Sequence, residues 1–109
     1  MNSEIPPTLP SSKIPPLNAG RKDDEGKLRV ELIPWSALDP IVRVLMHGAK
    51  HYGDENWRLV REGPNGRTRY LAACIRHVMK HARGEYLDPD SGEPHIAHAA
   101  ASILFLLAE

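Results

Sequence analysis

The sequence predicts an all-α fold, a small helical bundle. Three observations carry this prediction. Apolar residues recur at helical spacing in three separate stretches, period-two alternation is confined to one short segment, and the punctuation between stretches starts and stops helices. A chain of 109 residues is one domain at most. A domain of this size buries about 60–70% of its unfolded surface.

Residues 1–20 hold Pro6, Pro7, Pro10, Pro15 and Pro16 among Ser, Thr and Asn. Proline removes backbone donors and fixes φ, so this stretch is expected to be a flexible arm, with docking on a neighbouring subunit as the alternative. The domain proper is expected over 21–109. It opens with a charged turn around Gly26. Lys27 to Ile33 then alternates, with Leu28, Val30 and Leu32 on one side, which predicts a short extended segment ended by Pro34.

The first helix is expected from Ser36, an acceptable N-cap, with Pro40 early, where its missing N–H costs little. Ile41, Val42, Leu45 and Ala49 give its apolar face, and Gly53 its stop. DENWRLVREGPNG reads as a loop, with GPNG a strong turn signal. The second helix is expected over Thr68–Arg83, stopping at Gly84, with Leu71, Ile75, Val78, Met79 and Ala82 as its apolar stripe. Tyr70, Cys74, His77 and His81 fall on one flank of that stripe, and Arg69, Arg76, Lys80 and Arg83 on the far face. The third helix begins near Glu93 and Pro94 and carries Ile96, Ala99, Ala100, Ile103, Leu104 and Leu107, with His95, His98 and Ser102 on a line beside them.

Bulk properties exclude several classes. Formal net charge is zero, which gives no support for nucleic-acid or membrane binding. The single cysteine, Cys74, rules out an internal disulfide and fits a reducing compartment. The final apolar run is much shorter than the ~20 residues of a membrane span. With no signal-peptide pattern at the N-terminus, a soluble, cytoplasmic protein is expected.

Chemistry concentrates between Arg76 and His98, which contains four of the six histidines. His77 and His81 share a helix side at spacing four, and His95 and His98 do so at spacing three. Antiparallel packing across the 84–93 turn brings both pairs toward Glu85, Asp88 and Asp90. Carboxylates suit Mg²⁺ or Mn²⁺, imidazoles lean toward Zn²⁺ or Mn²⁺, and the mixed set leaves the metal open. A solvated histidine-bearing helix pair explains each histidine taken singly. A zinc-peptidase site is excluded because HVMKH lacks the glutamate after its first histidine. The arginine stripe of the second helix is a phosphate fork or a solvated face. Trp57, beside Asn56, either stacks on a base or packs on the bundle.

Four segments in order, KDDEGKLRVELIP, LMHGAKHYGDENW, YLAACIRHVMKHARGE and DPDSGEPHIAHAA, resemble the phage and bacterial dATP/dGTP diphosphohydrolase N-terminal domain, a group related to all-α MazG-like pyrophosphohydrolases. The resemblance covers about residues 22–107. It implies hydrolysis of a purine deoxynucleoside triphosphate between the α and β phosphates, with Mg²⁺ or Mn²⁺ as cofactor, Zn²⁺ staying open, and homo-oligomeric assembly. The chain departs from the MazG pattern of Glu-x-x-Glu and Glu-x-x-Asp pairs, because histidines stand where the second helix would carry acids. Carried over on matching positions, the resemblance makes Glu85 and Asp88 metal ligands, with His81, His95 and His98 in support. It gives Glu85 to catalysis with His77 as a base or a phosphate hydrogen-bond partner, and Lys27, Arg29, Lys50, Asn56 and Arg76 to nucleotide contacts, beside Trp57 as the stacking candidate. A non-enzymatic metal- or nucleotide-binding module of a phage or replication assembly is the alternative. A histidine-metal phosphohydrolase of the HD type needs a His-Asp dipeptide, and the chain has none.

Overall fold

The computed structural model describes residues 20–109, so the proline-rich arm lies outside the described residues apart from Gly20. The described chain falls into two units, one ending at Val30 and one comprising Glu31–Glu109. In the first, Lys27 N–H donates to Asp24 O and Gly26 adopts φ 81°, which is the expected charged turn. The expected extended segment does not form. Val30–Leu32 is a 3-10 turn, and Leu28, Val30 and Leu32 are all exposed. Alternation is stabilised only when a neighbouring strand completes the ladder, and the described residues contain no strand, only the bridge Leu87–Pro94.

The second unit is the bundle: α1 (Leu38–Tyr52), α2 (Asn56–Glu62), α3 (Gly66–Ala82) and α4 (His95–Leu107). A 3-10 turn, Trp35–Ala37, leads into α1, so Ser36 is not its cap, and Ala37 takes that position without a side-chain bond. Gly53 ends α1 at φ 95°, donating to Ala49 O. α3 and α4 form the main packed pair, with α1 laid against α4 and α2 against both. Contacts between residues 67 and 106, 70 and 105, and 77 and 95 run in opposite chain directions, so α3 and α4 are antiparallel.

The stretch expected as a loop contains helix α2. A seven-residue helix is marginal alone and depends on tertiary packing. Trp57, Val60 and Arg61 supply that packing at helical spacing. Trp57 stacks on Phe105 at 4.9 Å, Tyr70 leans on the same ring at 4.9 Å, and Tyr70 Oη donates to Trp57 O at 3.2 Å. Buried Arg61 donates from Nη1 to Phe105 O and Ala108 O, and Arg67 Nη1 donates to Leu106 O. Those carbonyls end α4, which has no glycine stop, and the cations also match its negative terminus. The GPNG turn then reverses the chain, with Asn65 left-handed at φ 57°.

The core is thin. Val44, Ala97 and Ala101 form its centre, with Ile41 and Leu45 packed on it. Small residues on α4 let α1 and α3 approach closely. The stripe expected to be the inner face of α3 points outward: Leu71 is 51% exposed and Ile75 50%. The flank with Cys74 and His77 packs toward α4 instead. On α4, Ile103 and Leu107 are likewise exposed, whereas His95 and Ser102 are buried. The phasing of both helices was right, but the face turned to the other helix is the small and polar one.

Candidate metal centre

The turn between α3 and α4 is built by backbone bonds that use its sequence. Gly84, at φ 97°, follows the end of α3 and donates to His81 O. Tyr86 O accepts from His95 N–H at 2.8 Å, and Asp88 N–H donates to Glu93 O at 2.8 Å, which closes the loop on the start of α4. Asp88 Oδ1 accepts from the backbone N–H groups of Asp90 (2.7 Å) and Ser91 (3.4 Å), the usual role of Asp in such a turn. The other carboxylate oxygen, Oδ2, lies 3.7 Å from His98 Nε2. Arg43 of α1 clamps Glu93 through two bonds of 3.0 and 3.1 Å, which ties α1 to the same turn.

His77, Asp88 and His98 thereby meet, each with one ligand atom within 4.8 Å of the others. The two rings stack, 4.6 Å apart and 15° from parallel. Among the described residues this is the group of His, Cys, Asp and Glu side chains that can share an ion. Burial, with the neighbouring imidazoles His98 and His95, pushes His77 down to about 4. Burial also lowers His98, against the opposing pull of Asp88. Burial pushes the Asp88 carboxyl up, but the two backbone donors and the nearby imidazoles outweigh it and hold it below the usual range. At neutral pH the three groups are two neutral imidazoles and a carboxylate, the protonation states a metal requires. This donor set fits a divalent first-row ion.

His95 and Glu85 stand behind the triad. His95 is 1% exposed, with Nε2 2.7 Å from Glu85 Oε2 and Nδ1 2.9 Å from His77 Nδ1. Glu85 is thus engaged with His95, and with Lys80 at 4.0 Å, and the expectation that it ligates alongside Asp88 is not met in this geometry. His81 packs edge-on against Tyr86 and is outside the triad. His77, expected to act as a base or to hydrogen-bond a phosphate, is one of the three side chains of the triad.

A cleft of about 910 Å³ shares His98 with the triad. His98 and His47 line it together with Leu45, Tyr52, Trp57, Tyr70 and Phe105. Asn56 and Arg69 add an amide and a guanidinium to the wall. Of the residues expected to contact a nucleotide, Asn56 and Trp57 line this cleft. Lys50 and Arg76 are exposed outside it, and Lys27 and Arg29 belong to the unit ending at Val30. Sequence reasoning missed His47 and Ser91, while Arg69 belongs to the arginine stripe read as a phosphate fork or a solvated face. Ser91 Oγ lies 2.7 Å from His98 Nε2 and accepts from Glu93 N–H at 3.2 Å. A serine in an Asp-Pro-Asp-Ser-Gly turn signals only the turn. His47 lies on another helix, 51 residues before His98 in the chain, where no local spacing exposes the link.

The family model described as dATP/dGTP diphosphohydrolase, N-terminal, matches residues 17–109. A protein of Salmonella phage PMBT28 named dATP/dGTP diphosphohydrolase is 33% identical over 87 residues. That match takes in 80% of this chain and 28% of the relative, so the chain corresponds to about a quarter of the relative's length. No solved structure matches the chain.

Proposed function

The chain belongs to the dATP/dGTP diphosphohydrolase N-terminal family, and from that premise we propose that it hydrolyses a purine deoxynucleoside triphosphate to the monophosphate and pyrophosphate. The observation that carries this reading is the cleft, which is large enough for a nucleoside and is lined by His98 of the triad. Ligand sites are commonly apolar clefts of about 300–1,000 Å³ with a few placed polar groups.

In this reading the base lies along the aromatic wall, with Asn56 as its polar contact. The triphosphate then points to His47 and His98, and Arg69 supplies a fork for phosphate oxygens. An ion held by His77, Asp88 and His98 would offset phosphate charge and lower the pKa of the attacking water. His47 lines the cleft outside the triad and sits 4.0 Å from Asp90 through Nε2, which suits it to take the proton from that water. Phosphoryl chemistry of this kind needs mainly positioning and positive charge.

The test is incubation with each dNTP and Mn²⁺ or Mg²⁺, followed by product analysis. Release of pyrophosphate and monophosphate from dATP or dGTP, lost in Asp88→Asn, is the expected result. His47→Gln is expected to lower turnover about 10²-fold without weakening metal binding. No turnover of either purine nucleotide with any divalent ion would overturn the reading. A second reading, a nucleotide-binding module of a larger protein, is favoured by the 28% coverage of the phage relative. It predicts saturable nucleotide binding without product.

A further inference from the structure

We infer that the His77–Asp88–His98 triad takes a divalent first-row transition ion in preference to Mg²⁺, and that Glu85 and His95 are positioning residues which fix the nitrogen His77 offers to it. The inference rests on the same site as the proposed function and names its metal class.

The donor set argues the first part. Mg²⁺ takes oxygen ligands and keeps several waters, so a site for it is built from carboxylates and phosphate. Here two of three donors are imidazoles, and the nearby carboxylate of Glu85 is engaged with His95. Two imidazoles and one carboxylate with open positions are the set found for non-haem Fe²⁺ and, with imidazole nitrogen generally, for Zn²⁺ and its neighbours. Open positions are what a phosphate oxygen and a water need.

Hydrogen bonding argues the second part. A carboxylate only accepts, so the 2.7 Å contact to Glu85 Oε2 places a proton on His95 Nε2. A His77 that ligates through Nε2 carries its proton on Nδ1. The 2.9 Å contact then makes His77 Nδ1–H the donor and His95 Nδ1 the acceptor. The same tautomer of His95 has its proton on Nε2, where Glu85 accepts it. His95 is 1% exposed, so water offers it no substitute partner. Carboxylate–imidazole pairs behind a metal-ligating histidine set its tautomer and orientation in this way. Here the relay is longer by one ring.

The experiment measures binding of Co²⁺, Zn²⁺ and Mg²⁺ alone to the 109-residue protein by calorimetry, with long-range ¹H–¹⁵N spectra of the histidine rings. One equivalent of Co²⁺ or Zn²⁺ is expected, unaffected by millimolar Mg²⁺, with the ring nitrogens of His77 and His98 shifting on loading. Before loading, His77 is expected as the Nδ1–H tautomer. Asp88→Asn keeps the turn's acceptor oxygen, so it should fold and lose the ion. Glu85→Ala should weaken the ion about 10–100-fold and mix the His77 tautomers. Glu85→Gln, whose amide oxygen still accepts, should restore both. Mg²⁺ binding more tightly than Co²⁺ and Zn²⁺, or unshifted His77 and His98 nitrogens, overturns the inference. So does an Nε2–H tautomer at His77. Pyrophosphate release that survives in Asp88→Asn also overturns it while leaving a hydrolase in place. One bound equivalent in a protein that turns nothing over supports the metal assignment and sinks the proposed function.

Discussion

Histidine 77 shows how much of the site rests on single atoms. Its burial lowers its pKa to about 4, so the folded chain refuses a proton that the unfolded chain accepts near 6.5. Stability is therefore full above pH 6.5 and falls as pH drops from 6.5 toward 4, because the unfolded state binds the extra proton. His98, also lowered, acts in the same direction. The depressed Asp88 contributes stability that is lost only below the ordinary carboxylate range, at lower pH than the histidine window. Thermal melts of the metal-free protein are expected to show Tm declining between pH 6.5 and 4, and His77→Asn should flatten that decline. A Tm that holds constant across this range contradicts the protonation states described for the triad. Arg61 makes a second point at this scale. Its buried guanidinium holds two carbonyls at the end of α4, so Arg61→Met should cost about 1.5–3 kcal/mol in urea unfolding, the range for hydrogen bonds to a charged group. Loss below 0.5 kcal/mol would show that the helix end needs no such cap.

Among the elements, helix ends were read more accurately from sequence than helix faces. Gly53, Gly84 and Pro94 announce their boundaries because glycine at positive φ and proline at a helix start are nearly local properties. The face of a helix depends on what covers it. Leu71 and Ile75 follow a regular apolar spacing yet are half exposed, whereas His77 and Cys74 pack inside. The same limit hid α2, whose Trp57 and Arg61 gain their partners from α4, more than 40 residues away. It also separates the polar candidates. The acidic turn and the helical phase put Asp88 and His98 in one region, where the structure brings them together with His77, whereas Glu85 bonds to His95. Gly66 carries a further consequence. A β-carbon there would fall well inside contact distance of the Val60 and Arg61 carbonyls, where α3 starts against the end of α2. Gly66→Ala should therefore destabilise the bundle by about 1–3 kcal/mol or more, as overpacking does. Gly48→Ala, in α1 with open space at its β-carbon, should be neutral or stabilising. Equal melts for the two variants would contradict the packing of α2 on α3.

For the whole molecule, the core is too small for the apolar surface that surrounds it. Its buried apolar side chains are Val44, Cys74 and three alanines, while Leu71, Ile75, Ile103 and Leu107 remain 45–72% exposed. Large apolar side chains left this exposed on two packed helices are a common mark of an interaction surface. We propose that a second copy covers it, in keeping with the homo-oligomer that the family resemblance implies. Light scattering on the eluting protein at micromolar concentration should give at least twice the 12.2 kDa chain mass. Ile75→Glu together with Ile103→Glu should shift it to monomer. A monomeric wild-type protein at that concentration would contradict the proposal. No helix among the described residues is long and apolar enough to cross a membrane.

If triad and cleft form one site, an ion and a nucleotide bind there together. A crystal structure of the chain with Mn²⁺ and a non-hydrolysable dATP analogue tests this most directly. One ion is expected on His77 Nε2, Asp88 and His98, with phosphates beside His47 and His98 and the base along Trp57 and Tyr70. An ion held instead by Glu85 or His81, or a nucleotide bound outside the cleft, would contradict it.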